Sequence, residues 1–96
     1  MASVVILMGS NSDEEKVAPC AEILGRLGID FYLTVTSAHR TPERTARIVA
    51  EQEKAGAKVF ICAAGMAAHL AGAVAARTAR PVIIIPNLFF SISIAA

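Results

Sequence analysis

Charge is scarce in this 96-residue chain and nearly balanced: 9 Lys+Arg stand against 8 Asp+Glu, 18% of residues in all, for a net charge of +1. That excludes the basic footprint of a nucleic-acid-binding protein and electrostatic capture by an anionic lipid surface. Cysteine is scarce too. Cys20 and Cys62 form no C-x-x-C pair and no zinc spacing, so neither a disulfide scaffold nor a metal centre is expected, and the reducing cytoplasm is the expected location. The N-terminus, Met1-Ala2-Ser3 followed by the short apolar run Val4–Met8, lacks the basic stretch of a secretory signal. Hydrophobic residues, by contrast, make up 55% of the chain, which excludes intrinsic disorder and fits one small domain.

Two long uncharged runs, Val59–Ala76 and Pro81–Ala96, approach the length of a membrane span. The first is broken by Gly65, His69 and Gly72 and the second by Pro81, Pro86 and Asn87. Buried parallel strands and their helices also read as nearly continuous apolar runs. No membrane association is expected.

Strand-like and helix-like patterns alternate along the chain. Val4–Met8 reads as a strand, and Gly9–Ser12 as a turn. Ser12 and Glu15 have the spacing of a capping box, with acidic residues crowding the first turn. Val17, Cys20, Ala21 and Leu24 then form an amphipathic stripe, ended by Gly28. Pro19 falls within that helix, so a kink or a late start is expected. A second strand spans Phe31–Thr36. After the loop Ser37–Arg40, Thr41 caps a helix with Pro42 at its first position. Glu43/Arg47 and Arg47/Glu51 mark its solvated face, and Ala46, Val49 and Ala50 its buried side, before Gly56 ends it. Val59–Ala63 is a third strand, Ala64–Ala68 a small-residue loop, His69–Arg77 a third helix and Val82–Ile85 a fourth strand. Such alternation with short connections predicts an α/β fold: a three-layer αβα sandwich on a parallel sheet, flavodoxin-like or Rossmann-like.

Ligands of open α/β sheets bind beyond the carboxyl ends of the strands. That rule selects Gly9–Asp13, Ser37–Arg40 and Ala64–His69, which between them hold both histidines of the chain. The first loop joins a strand to a helix N-terminus, a setting that suits a phosphate. Ser10 and Ser12 add hydroxyls, and Asp13 can accept from ribose. The loop is neither G-x-G-x-x-G nor a Walker A sequence, and Ser12 and Asp13 have an alternative reading as helix caps alone. In the second loop, His39 can donate and accept a proton near neutral pH, and Arg40 offers a planar fork for phosphate oxygens; the alternative is an exposed loop histidine. His69, in an apolar setting, is read either as a packed structural residue or as part of a pocket wall. Gly65 and Gly72 permit close backbone approach to a ligand. Cys62, within a strand, reads as a small buried hydrophobe.

Met8-Gly9-Ser10-Asn11-Ser12-Asp13, Ser37-Ala38-His39-Arg40-Thr41-Pro42, Ala67-Ala68-His69-Leu70-Ala71-Gly72 and Pro81-Val82-Ile83 occur in one order. Together they resemble the N(5)-carboxyaminoimidazole ribonucleotide mutases, the catalytic family of phosphoribosylaminoimidazole carboxylase in de novo purine synthesis. The resemblance implies that Ser10 and Asp13 bind substrate, His39 transfers the proton, Arg40 binds phosphate, and Ser37 and His69 line the site. It also implies a small ribonucleotide substrate, no metal or organic cofactor, a homo-oligomer (an octamer in the family) and a cytoplasmic enzyme. Arg40 fits the mutase branch better than the branch that carboxylates aminoimidazole ribonucleotide with free carbon dioxide. That carboxylase and a non-catalytic nucleotide-binding fragment are the alternatives.

The pattern departs from the family at Met66 and Ile84, where glycine is common, and at Ala71, where proline is common. On this reading a mutase-like domain spans 1–86, incomplete relative to the family, and a divergent apolar tail spans 87–96. In that tail Phe90, Ile92 and Ile94 alternate with Ser91 and Ser93, so one apolar face is expected to seek a partner strand. The chain alone is therefore expected to self-associate and to show little mutase activity.

Overall fold

The computed structural model describes residues 2–65 and 67–85. Its elements are β1 (Val4–Met8), a 3₁₀ turn (Asn11–Asp13), α1 (Glu14–Arg26), β2 (Phe31–Val35), α2 (Pro42–Lys54), β3 (Val59–Ala63), α3 (Ala67–Ala75) and β4 (Val82–Ile85). The four strands are all parallel, in the order β2-β1-β3-β4. The expected three-layer α/β architecture is therefore the one observed. The divergent segment 87–96 and Met66 lie outside the described residues.

Val4–Met8 is apolar throughout because β1 is central and both its faces are covered: all five residues are buried. Alternate side chains enter two separate cores. Val5, Leu7, Phe60 and Cys62 face α2 and α3, packing on Ile48, Val49, Leu70 and Val74. Val4, Ile6, Met8, Ile61 and Ala63 face α1, packing on Val17, Cys20 and Leu24. The predicted stripe of α1 thus lies against the sheet.

Both glycine stops act as expected, and each closes a Schellman motif. Gly28 (φ +71°) donates to the Gly25 carbonyl, and Ile29 to that of Leu24, at 3.1 and 2.9 Å. Gly56 (φ +114°) donates to Glu53, and Ala57 to Gln52, at 3.1 and 2.9 Å.

Other expectations shift locally. The capping box sits at Ser10 and Asp13, not at Ser12 and Glu15, because the 3₁₀ turn precedes the helix. α1 starts at Glu14 and runs on through Pro19, so the late start expected on account of that proline is not what the structure has. Pro19 and Glu15 are both exposed, so the carbonyl left without its helical partner lies on the hydrated side. Thr41 occupies the N-cap of α2 without a side-chain capping bond; its hydroxyl serves the preceding loop instead. Ala50 is exposed and Ala46 half-buried, while Thr45, Ile48 and Val49 form the buried side of α2. The third helix begins at Ala67, before the expected start at His69, and ends at Ala75. Of the family departures, Ala71 is buried in the α3 core, and Ile84 is 46% exposed on the sheet's outer strand.

Candidate active site

The β1–α1, β2–α2 and β3–α3 loops meet at the carboxyl end of the sheet, where the strand order reverses on either side of β1. The sheet itself holds them there, because its hydrogen-bond ladder continues past the strand ends. The Thr36 amide donates to the Met8 carbonyl at 2.8 Å, and the Gly9 amide to the Ala63 carbonyl at 2.9 Å. Gly9 is glycine for a steric reason: a Cβ there would lie 2.7 Å from the Cβ of Ala64. At Gly65 and Gly72 a Cβ would meet no atom of the described residues within 4 Å, so packing within the protein does not require glycine at either.

A cleft of about 200 Å³ opens between these loops, lined by Ser10, Asp13, Ser37, His39, Gly65 and His69 among others. Five of the six predicted site residues thus surround one space. The sixth, Arg40, is exposed and lines an adjoining cleft of about 250 Å³ together with Thr41 and Arg44. The two clefts share Gly9, Thr36 and Ser37. Both imidazoles are exposed at the rim, and Ala64 and Leu70 supply an apolar wall.

Asp13 is 3% exposed. Its Oδ2 accepts from the Ser10 amide at 3.0 Å and from the Ser10 hydroxyl at 3.3 Å. Its Oδ1 accepts from Lys16 Nζ at 3.1 Å. A buried carboxylate requires such partners. Capping and a place in the cleft wall are therefore both properties of Asp13. Lys16 was not singled out from the sequence, although the i, i+3 spacing of Asp13 and Lys16 is a usable signal.

The second loop is bonded to itself. The Ser37 amide donates to Thr41 Oγ1 at 3.1 Å, the Thr41 amide to the Ser37 carbonyl at 2.9 Å, and the Arg40 amide to Ser37 Oγ at 2.9 Å. Ser37 therefore shapes the loop as well as lining the cleft. Arg44, which bonds to the end of β2, and Thr45, which bonds to the loop, carry no sequence signal; their roles depend on a tertiary arrangement that no local pattern encodes.

Cys62 is wholly buried, and desolvation pushes its thiol up to about 12. That agrees with its reading as a core residue. Among the described residues no group of three His, Cys, Asp or Glu side chains is placed to hold a metal ion, and no helix is long and apolar enough to cross a membrane.

Comparison with known proteins gives a consistent result. The profile of the AIR carboxylase family matches residues 3–93. An N5-carboxyaminoimidazole ribonucleotide mutase of Saccharolobus solfataricus is 48% identical over 86 residues, 90% of this chain and 54% of that protein. A phosphoribosylaminoimidazole carboxylase of Candida albicans is 51% identical over 83 residues, 86% of this chain and 15% of that protein. The crystal structure of Treponema denticola PurE superposes with a TM-score of 0.80 at 33% identity, covering 88% of this chain and 54% of that one. The chain spans about half the length of the Saccharolobus solfataricus and Thermotoga maritima mutases. These matches, and the placement of the three loop motifs around one cleft, show that the chain belongs to the AIR carboxylase family.

Proposed function

We propose that this cleft is the ribonucleotide site of an N(5)-carboxyaminoimidazole ribonucleotide mutase acting in purine biosynthesis. The observation that carries the reading is the convergence of Ser10, Asp13, Ser37, His39 and His69 on one cleft, with Arg40 in the space next to it. Arg40 and the Ser10 hydroxyl bind the 5′-phosphate. Asp13, already fixed by Ser10 and Lys16, accepts from ribose. The imidazole base of the substrate then lies toward His39 and His69, against Ala64 and Leu70.

His39 is the catalytic residue. In its protonated form it gives its proton to the exocyclic nitrogen as the N–carboxylate bond breaks, leaving the amine and carbon dioxide. Carbon 4 of the ring then attacks carbon dioxide. Neutral His39 takes the proton displaced from carbon 4, so the imidazolium is restored and the net change is an isomerisation. One group serves both steps because an imidazole can hold or release a proton near neutral pH. The apolar wall keeps carbon dioxide from water between the steps. The enzyme is a homo-oligomer of the cytoplasm.

Titration calorimetry with aminoimidazole ribonucleotide tests the site. Arg40→Ala removes charge-assisted bonds worth roughly 1.5–3 kcal/mol each, so affinity is expected to fall at least about tenfold; unchanged affinity overturns the phosphate assignment. In any version of the chain that turns over, His39→Asn is expected to retain binding and lose turnover, and near-normal turnover overturns the catalytic assignment. The alternative reading, use of free carbon dioxide, is not favoured by the similarity to named mutases. Assaying one preparation with the carbamate substrate, and separately with aminoimidazole ribonucleotide plus bicarbonate, decides between the two readings.

A further inference from the structure

Two consecutive residues in the first turn of α2, neither in the substrate-binding set, hold the end of β2 and the loop that follows it with His39 and Arg40: Arg44 bonds to the strand and Thr45 to the loop. Arg44 reaches back along β2: its Nη2 donates to Thr34 Oγ1 at 3.1 Å and to the Val35 carbonyl at 3.2 Å, with Nε at 3.4 Å from the same carbonyl. Thr45 reaches inward. Its hydroxyl is 2.8 Å from that of Thr36, 3.3 Å from the Ser37 carbonyl and 3.2 Å from the Thr41 carbonyl. Thr36 and Thr45 are each only 2% exposed. A hydroxyl has a single hydrogen to donate. If Thr45 gives its hydrogen to the loop carbonyls, Thr36 donates to Thr45, and one short relay joins the end of β2, both ends of the loop and the start of α2.

We infer that Arg44 and Thr45 are positioning residues, a clasp that fixes the end of β2 and the Ser37–Thr41 loop on α2 and so sets where His39 and Arg40 meet a ligand. The inference rests on the proposed ribonucleotide site, but the clasp itself has an independent readout. Arg44 also lines the cleft beside Arg40. Its Nη2 and Nε are engaged with Thr34 and Val35, so its part is to order that wall. Thr45 is deeper and lines neither cleft. The Thr45 contact with the Thr41 carbonyl is the ordinary back-bond of a helical threonine, but its bonds to Thr36 and Ser37, and those of Arg44 to Thr34 and Val35, tie α2 to the end of β2 and the start of the loop.

The test combines amide hydrogen exchange with calorimetry on Thr45→Val, Thr45→Ser, Arg44→Met and Arg44→Lys. Valine keeps the shape of threonine while removing the hydroxyl, and exchange in β1 and β3 reports whether the fold is intact. In Thr45→Val, exchange of the Ser37–Thr41 amides is expected to accelerate roughly tenfold, the scale set by one lost buried hydrogen bond, with β1 and β3 unchanged. Affinity for aminoimidazole ribonucleotide is expected to fall severalfold. Thr45→Ser restores both. Arg44→Met loosens the loop likewise, and Arg44→Lys restores it only in part, because one ammonium cannot span both acceptors as the guanidinium does. Loop exchange unchanged in both Thr45→Val and Arg44→Met overturns the clasp. If Thr45→Val does not fold, Arg44→Met, whose side chain is only half-buried, carries the decision. If the wild-type chain binds no ribonucleotide, the proposed site fails, while the exchange measurement still decides the clasp.

Discussion

Replacing Gly9 by alanine puts a single methyl group between the β1–α1 and β3–α3 loops. That carbon would lie 2.7 Å from the Cβ of Ala64. Non-bonded carbons prefer roughly 3.5–4.0 Å, so the loops must separate by about 1 Å. Alanine has no rotamer by which to escape, and Ala64 is only 8% exposed. Overpacking of this kind costs about 1–3 kcal/mol. The same displacement stretches the 2.9 Å bond from the Gly9 amide to the Ala63 carbonyl, worth roughly 0.5–1.5 kcal/mol net. A destabilisation of about 2 kcal/mol or more follows, which for a domain of this size lowers Tm by at least about 8 °C. Thermal unfolding followed by circular dichroism reads it. Ala64→Gly supplies the control: without the offending methyl, a Cβ at position 9 has as its nearest neighbours the Ala64 Cα and Asp13 Oδ2, both at an ordinary 3.6 Å. The double variant should therefore recover most of the Tm that Gly9→Ala loses, measured against Ala64→Gly alone. An unchanged Tm in Gly9→Ala, or a double variant no better than additive, would refute the steric reasoning.

Two further predictions follow from buried groups. Lys16→Met strips the cation from a carboxylate that is 95% buried at the side chain, while Lys16 itself is 21% exposed. The expected loss is about 1–2 kcal/mol, below the 3–5 kcal/mol of a fully buried pair, and denaturant midpoints should show it largely abolished in the background of Asp13→Asn. Cys62, with its thiol pushed up to about 12 from 9.0 by burial, should resist thiol reagents at pH 8 in the folded chain while Cys20, half-buried, reacts first. The folded state keeps the Cys62 proton over a pH range where the unfolded chain releases it. The stabilisation is thus full below about pH 9 and declines as pH rises toward 12. Cys62→Ala should flatten that alkaline decline in chemical denaturation measured at pH 8 and pH 10.

What the sequence disclosed and what it hid have different physical origins. The strands were legible because β1 and β3 are covered on both faces, which makes Val4–Met8 and Val59–Ala63 continuous apolar runs. Gly28 and Gly56 were legible because positive φ selects glycine. The first helix start was misplaced because Ser10/Asp13 and Ser12/Glu15 present overlapping patterns of the same spacing. Only packing of Asp13 beneath the loop chooses between them. Ala50 was assigned to the buried face because alanine carries little periodic information. The loop motifs disclosed where the candidate site lies, but not its supports: Thr45, Arg44 and the Ala64 contact of Gly9 arise from segments that meet only in three dimensions.

The strand order also constrains the timing of synthesis. β1 is made before the three strands it joins, yet it lies inside the sheet, between β2 and β3. Its first partner, Phe31–Val35, follows after one helix, but its second, Val59–Ala63, arrives only after α2 has been made. Throughout that interval one edge of Val4–Met8 has no strand beside it, and an unpaired apolar edge is what chaperones and aggregates both recognise. The amide of Gly9 finds the carbonyl of Ala63 at the end of the same pairing. A nascent chain stalled before β3 is thus both sticky and without a cleft, and pulse-labelling of stalled chains should show the β3-facing amides of Val4–Met8 unprotected until Ala63 has cleared the exit tunnel.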